Sequence, residues 1–334
     1  MNTNCSLIMT SIAGPESPAL LTYARECAAN AVPFIVIGDA GSPGGFHLDK
    51  CDFWSLGRQR RLPFELAGLL PEKTYARKNL GYLIAMRNAS EIIVETDDDT
   101  FPKPEFWRQR RRAITARVIE EAGWVNVYRY FTHHHIWPRG FPLEELRGVR
   151  VRPGETREVH APIRQGLTDE NPDVDAVYRL TLPLPVNFEQ RRPLALGVNS
   201  WCPLNSQNTA WFREAFPLLY LPCHCSFRMT DIWRGFIAQR IAWTCGWFVA
   251  FHGATVYHKR NEHDLLKDFH DEVAGYLSNG RITDDLQKLD LKPGVDAIND
   301  NLLACYAMMA GRGYVGVEEM KLVRAWINDC RTTT

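Results

Sequence analysis

Apolar runs and helical spacings alternate along the first hundred residues in the order of an α/β protein. Ser6-Leu7-Ile8-Met9-Thr10-Ser11-Ile12 predicts a first strand, closed by Gly14-Pro15. Leu20, Leu21, Ala24, Cys27, Ala28 and Ala31 then recur at helical spacing behind Pro18, a residue suited to a first turn. Pro33-Phe34-Ile35-Val36-Ile37-Gly38 predicts a second buried strand, so the unit reads as βαβ with parallel strands and a right-handed crossover. A short helix over 64–70 and a longer one over 74–88, with Leu80, Leu83, Ile84 and Met86 toward the sheet, lead into a third apolar run, Ile92-Ile93-Val94.

Beyond that run the pattern predicts a helix over 105–121 and a strand over 124–130. The stretch 146–190, rich in Arg, Glu, Asp and Pro and weakly periodic, reads as an extended insertion over the active face. Asn205-Ser206-Gln207-Asn208-Thr209 opens a predicted aromatic helix around Trp211, Phe212 and Phe216. Thr230 or Asp231 is placed to cap a helix whose apolar face is Ile232, Phe236, Ile237 and Ile241, and 248–257 reads as a strand. Leu266, Phe269, Val273 and Leu277 predict an amphipathic helix, and 295–328 two more. The expected organisation is one α/β domain over 1–280, with that insertion at about 146–190, followed by a helical extension over 281–334; no internal repeat is visible.

Composition narrows the function classes. Lysine plus arginine and aspartate plus glutamate are both 39, a balance that weighs against a nucleic-acid partner. The clusters Arg58-Gln59-Arg60-Arg61 and Arg108-Gln109-Arg110-Arg111-Arg112 read as solvated faces. Nine cysteines, odd in number and scattered through apolar surroundings, read as reduced thiols. Cys223-His224-Cys225 has no second ligand pair at suitable spacing, so no structural metal is expected there; His133-His134-His135 reads as a surface loop. No run approaches the roughly 20 apolar residues of a membrane span, and the start lacks the basic region of a signal peptide. The expectation is a soluble, cytoplasmic protein with no integral membrane segment.

The chemistry concentrates where the third apolar run ends, at Asp97-Asp98-Asp99. Three neighbouring carboxylates repel one another and favour a hard cation that neutralises them. At the carboxyl end of a sheet strand they stand where open α/β folds bind ligands, and strand then Asp-x-Asp points to a metal-dependent enzyme acting on a nucleotide sugar. The competing reading is a solvated Asp-rich turn. Asp39 closes the second strand before Gly41, Gly44 and Gly45, a loop whose backbone can approach a ligand closely; it reads either as a base or ribose contact or as a turn residue. No Gly-Lys-Ser/Thr follows, so it is not a Walker loop. Arg77, Lys78 and Asn79 sit early in a helix, where positive charge opposes the dipole and hints at a bound anion, or forms an exposed basic turn. Asn205, Gln207 and Asn208 suit recognition of sugar hydroxyls, or helix capping.

Several spaced motifs in one order carry a resemblance. Ala76-Arg77-Lys78-Asn79-Leu80-Gly81-Tyr82, Glu95-Thr96-Asp97-Asp98-Asp99, Asn205-Ser206-Gln207-Asn208-Thr209, Phe227-Arg228-Met229-Thr230-Asp231-Ile232-Trp233-Arg234-Gly235 and Arg260-Asn261 together resemble the glycosyltransferase-like domain of the STELLO proteins. That domain is similar to reversibly glycosylated polypeptides, the UDP-arabinopyranose mutases. The resemblance implies a GT-A fold, Rossmann-like with a mostly parallel central sheet, a nucleotide-diphosphate sugar as donor and a divalent cation, Mn2+ or Mg2+. It implies Asp97, Asp99 and His258 as metal ligands, with Asp98 beside them, Asp39 at the nucleoside and Arg77 near the diphosphate. Lys78, Asn79, Asn205, Gln207, Asn208, Arg228, Arg234 and Arg260 fall within or beside the donor-binding motifs, and Asp231 takes the place of a catalytic carboxylate. The expected activity is transfer of a sugar from a UDP-type donor to an unidentified acceptor, with Asp231 as general base or as a charge that steadies an oxocarbenium-like centre. The alternatives are a nucleotide-sugar mutase and a catalytically silent scaffold; intact carboxylates at both 97–99 and 231 argue against silence.

Overall fold

The computed structural model describes residues 4–147, 151–259 and 264–333. The βαβ unit is present: strands Cys5–Thr10 and Phe34–Ile37 lie parallel, joined through the helix Pro18–Ala29. Leu7, Ile8 and Met9 and all of Phe34–Ile37 are buried, as expected for a sheet covered on both faces. The helix Lys78–Arg87 approaches this sheet closely because Gly81 has no side chain; a Cβ there would stand 2.6 Å from Cγ2 of Ile8. It feeds the strand Ile92–Thr96, parallel to Cys5–Thr10.

Past this point the sheet is mixed, which corrects the expectation of a mostly parallel one. Its order is Asp52–Trp54, Phe34–Ile37, Cys5–Thr10, Ile92–Thr96, Asn208–Phe212, Ile163–Asp169, Val249–His258, Leu194–Leu196, Ala113–Ile119 and Thr156–His160. Asn208–Phe212 runs antiparallel to both its neighbours, and Val249–His258 runs parallel to Ile163–Asp169. Two reversals restore the original direction. Strands that end at Thr10, Ile37, Thr96, Asp169 and His258 therefore finish at one edge, and the strand that begins at Asn208 starts there. A short strand, Thr100–Pro102, folds back against the end of Val249–His258 and pairs Thr100 with His258.

Four expected elements differ. The helix over 105–121 is a 3-10 turn, Pro104–Trp107, followed by the strand Ala113–Ile119, whose β-branched Ile114, Thr115, Val118 and Ile119 suit a pleated surface. The strand over 124–130 shrinks to Gly123–Trp124, with a helical turn at Tyr128–Phe131. The stretch read as an insertion supplies Ile163–Asp169, a central strand buried at every residue. Its polar side chains concealed it: Arg164 donates to the Ala161 carbonyl and Gln165 accepts from the Asn205 amide, so both are satisfied inside the fold. Asn205–Thr209 likewise opens not a helix but the strand Asn208–Phe212, followed by the 3-10 segment Arg213–Leu219.

The helix Leu265–Lys288 forms where its spacing predicts, but turned over. Leu266 and Leu277 are 70% and 62% exposed, while Asp268, Glu272 and Asn279 are buried. Polar contacts decide the orientation: Glu272 accepts two hydrogen bonds from Arg228 and one from the Ala176 amide, and Asn279 joins Trp233 to the Gly140 carbonyl. The expected boundary at 281 falls inside this helix. The helices Ile298–Gly311 and Glu319–Thr333 share the main core, with Trp326 bonded to the Pro217 carbonyl and Asp329 capping the amides of Glu65 and Leu66. None of the nine cysteines is joined in a disulfide. Among the described residues no helix is long and apolar enough to cross a membrane.

A buried ion pair ties the helix Thr230–Thr244 to the middle of the sheet. Arg234 makes a fork to Glu95 at 2.9 and 2.8 Å, and Glu95 also accepts from Trp211 at 2.8 Å and from Tyr82. Arg234 is 1% exposed and Glu95 fully buried. Arg234→Met should destabilise the protein by about 3–5 kcal/mol, because it strands a buried carboxylate. Denaturant unfolding checks this, and Arg234→Met with Glu95→Gln should recover part of the loss.

Candidate functional site

Because so many strands finish at one edge, residues remote in sequence line one cavity of about 620 Å³ there. Thr10, Ser11 and Ile12 enter from the first strand, Gly38, Asp39 and Gly41 from the second, and the triplet from the Ile92 strand. Asp173 follows the Ile163 strand, Gln207 precedes the Asn208 strand and His258 ends its own. Tyr75, Arg77, Arg139, Phe227, Arg228 and Asp231 also line it.

The triplet is braced from below. Lys78, buried completely, directs its ammonium to the Thr96 carbonyl at 2.8 Å, to Tyr75 Oη at 2.6 Å and to Asp97 at 3.2 Å. Tyr75 donates to Asp97 at 2.6 Å, and Ser11 donates to Asp98 at 2.5 Å. Asp99 meets Nε2 of His258 at 2.9 Å. Burial raises Asp97 to about 6, with Lys78 pulling down and Asp99 pushing up; burial also raises Asp98. For His258 burial acts downward, but Asp99, the Asn171 carbonyl and Asp97 together outweigh it and the imidazole is raised.

Opposite the triplet stands Asp231, in the first turn of Thr230–Thr244. It is not the cap: Met229 holds that position, without a side-chain bond. Asp231 instead receives Arg139, at 2.9 Å to Oδ2 and 3.1 Å to Oδ1, and the amide and hydroxyl of Ser206 at 3.2 and 3.3 Å. Ser206 Oγ also lies 2.7 Å from Tyr75 Oη, so Tyr75 and Ser206 link the two acidic groups. Arg139 holds Asp173 as well, at 2.8 and 2.9 Å, and donates to the Arg228 carbonyl.

Of the residues singled out from sequence, Asp39, Arg77, Asp97, Asp98, Asp99, Gln207, Arg228, Asp231 and His258 line the cavity. Asp39 accepts from the amides of Ala40 and Thr74, which fixes the turn. Arg77 is engaged by Gln59 and by the carbonyls of Leu70 and Pro71, and Arg228 by Glu272. Lys78 lies behind the cavity. Asn79 bonds both backbone groups of Leu221, Asn205 bonds Asp173, Asn208 bonds Leu167 and Thr255, and Arg234 bonds Glu95; these four brace the fold away from the cavity lining. Arg260 lies outside the described residues.

Sequence reading passed over Ser11, Tyr75, Arg139 and Asp173. Arg139 had a signal: it is a lone charge in the apolar run Ile136 to Phe141, next to Gly140, whose φ of 86° and whose closeness to Ile232 require glycine. Asp173 was hidden in the supposed insertion. A second convergence was also unforeseen: Cys223, His224 and Glu319 bring a thiol, an imidazole and a carboxylate within 4.8 Å of one another, a set that could coordinate a metal. Glu319 comes from the last helix, beyond the reach of any local motif. Its carboxylate already accepts from the amides of Cys223 and His224 and from the Tyr220 hydroxyl, which fastens that helix to the loop.

Residues 228–334, which hold Asp231 and all three terminal helices, match the family described as STELLO glycosyltransferases. The chain is 28% identical over 316 residues to the "Probable glycosyltransferase STELLO2" of Arabidopsis thaliana, covering 88% of this chain and 41% of that protein. To STELLO1 of the same plant it is 26% identical over 321 residues, covering 88% and 40%. It thus spans about two fifths of the length of these relatives. Among solved structures, a mycobacterial protein is similar at a TM-score of 0.41 and 11% identity, over 83% of this chain and 75% of that one. The chain is thus similar to both plant proteins along nearly its whole length, and to the family described as STELLO glycosyltransferases over its C-terminal third.

Proposed function

We propose that the chain is a metal-dependent glycosyltransferase of GT-A type, which binds a nucleotide-diphosphate sugar of the UDP class and passes its sugar to an acceptor hydroxyl. The observation that carries the reading is the meeting of Asp39, the Asp97 to Asp99 triplet, His258 and Asp231 on one cavity. Its volume falls within the range of about 300–1,000 Å³ usual for small-molecule sites.

In this reading the nucleoside lies along Asp39 and the backbone of Gly38 and Gly41, and the diphosphate lies over the triplet. Asp97, Asp99 and His258 form the cation site; two carboxylates and an imidazole suit Mn2+ or Mg2+. The donor set fits, because Nδ1 of His258 faces the Asn171 carbonyl at 2.9 Å, the outer contact that leaves Nε2 as a ligand. When bound, the cation supplies positive charge against that of the departing diphosphate. Lys78 holds Asp97 in place, and Gln207, 6% exposed with a side-chain oxygen that lacks a hydrogen-bond partner, presents its amide to a sugar hydroxyl. Both oxygens of Asp231 are engaged by Arg139 and Ser206, so of its two expected roles the geometry favours a fixed negative charge beside an oxocarbenium-like centre.

UDP should bind far more tightly with Mn2+ than with a chelator, and Asp97→Ala with Asp99→Ala should abolish the difference. Titration calorimetry tests this; equal affinity in all four combinations would remove the cation site from the scheme. A pH series follows from Asp97. A cation must displace the proton that Asp97 holds below about pH 6, so Mn2+ affinity should be full above about pH 7 and fall about tenfold per unit below 6. In the metal-free protein the linkage runs the other way. The folded chain binds that proton more tightly than the unfolded one, so this contribution to stability is complete below 3.8 and lost as pH rises through about 6. Finally, Asp231→Asn should leave UDP affinity within a few-fold of wild type while slowing turnover about 10²- to 10³-fold. Unchanged turnover with a nucleotide sugar that the wild type accepts would make Asp231 a structural residue alone.

A further inference from the structure

Arg139 does more than touch Asp231: all five of its N–H groups are directed at the wall that faces the triplet. Nε and Nη2 reach the two oxygens of Asp173 at 2.8 and 2.9 Å, Nη2 reaches both oxygens of Asp231, and Nη1 reaches Asp231 and the Arg228 carbonyl. The side chain is 7% exposed and its two partners 10% and 8%. One guanidinium thus joins three separate stretches: the loop of Gly140, the turn after the Ile163 strand and the start of the Thr230 helix. Asn205 adds a bond to Asp173, and Ser206 adds two to Asp231, which draws in a fourth.

From this geometry we infer that Arg139 is a positioning residue of the transferase site, a clamp that sets Asp231 as a charged group at one fixed place in the cavity wall. The inference rests on the transferase reading above. Two buried carboxylates against one guanidinium leave the wall with a net negative charge, and that charge cannot rotate away, because both oxygens of each carboxylate are held. A fixed dipole of this kind costs no reorganisation when positive charge develops on a sugar. A lysine would not replace it, since an ammonium has three donors in no planar fork and cannot hold both oxygens of two carboxylates at once. Asp173 in this arrangement is the second arm of the clamp, and it accounts for a buried acid in a stretch whose sequence reads as a surface insertion.

The test uses Arg139→Lys and Arg139→Met, with Arg139→Met joined to Asp231→Asn as the control for folding. Turnover of Arg139→Lys should fall about 10²-fold with UDP affinity and donor KM within about threefold of wild type. Melting temperature supplies a readout independent of activity. Arg139→Met leaves the buried carboxylates of Asp231 and Asp173 without their cation and should lower the melting temperature. The double variant should recover part of that loss, while remaining slow. Full turnover in Arg139→Lys overturns the positioning role alone. So does a fall in UDP affinity as large as the fall in turnover, which would make Arg139 a donor ligand. Wild-type protein inactive on every nucleotide sugar, whatever the melting curves show, overturns the transferase reading and the positioning role with it.

Discussion

One buried ammonium underlies the arrangement of the cavity. Lys78 is completely enclosed, yet its charge is met on several sides by the Thr96 carbonyl, the Tyr75 hydroxyl, the Asp97 carboxylate and, at 3.4 Å, the Ser206 carbonyl. It fixes a helix start, a strand end and the entry to a second strand at a single point. Three consecutive aspartates would otherwise drive their turn apart. With Lys78 beneath Asp97, Ser11 on Asp98 and His258 against Asp99, each carboxylate has a partner of its own, and the three can be held in one short turn.

The opposite wall follows the same rule with a second buried basic residue. Arg139 stands between Asp173 and Asp231 as Lys78 stands beneath Asp97, and Tyr75 and Ser206 connect the two sets. The choice of cation matches the task. A point charge suits the convergence of single oxygens on Lys78, whereas the planar fork of arginine suits two carboxylates side by side. Both walls are acidic in net terms, which agrees with a proposed ligand set that includes a metal ion. Arg77 and Arg228, the basic residues that sequence placed near the donor, are largely engaged by protein partners.

The sheet explains why such distant residues meet. Antiparallel Asn208–Phe212 lies between two strands that run the other way, so a chain returning through it starts at the edge where the Ile92 strand ends. The short Thr100–Pro102 strand then turns the triplet back onto the end of Val249–His258. Glu95, buried in the same strand as the triplet's approach, anchors that strand through Arg234 to the Asp231 helix. Position along the sheet and position of the charges are therefore one problem, solved once.

Local pattern was enough for the first half of the cavity wall. Strands Cys5–Thr10, Phe34–Ile37 and Ile92–Thr96 are short continuous apolar runs bounded by glycine, proline or aspartate, and a buried parallel strand needs nothing more. With them came Asp39 and the triplet, since a residue just past such a strand must lie at its edge. Local pattern failed where burial was made possible by partners far away in the chain. Ile163–Asp169 is buried despite Arg164, Gln165 and Asp169 because other elements supply their hydrogen bonds, and the Leu265–Lys288 helix turned its polar face inward because Arg228, Trp233 and Gly140 were there to receive it. For the same reason sequence could not tell Gln207, which lines the cavity, from Asn205 and Asn208, which brace the fold, nor find Arg139 and Asp173. Which polar side chain serves the fold and which faces the cavity depends on what stands across from it, and only the folded chain decides that.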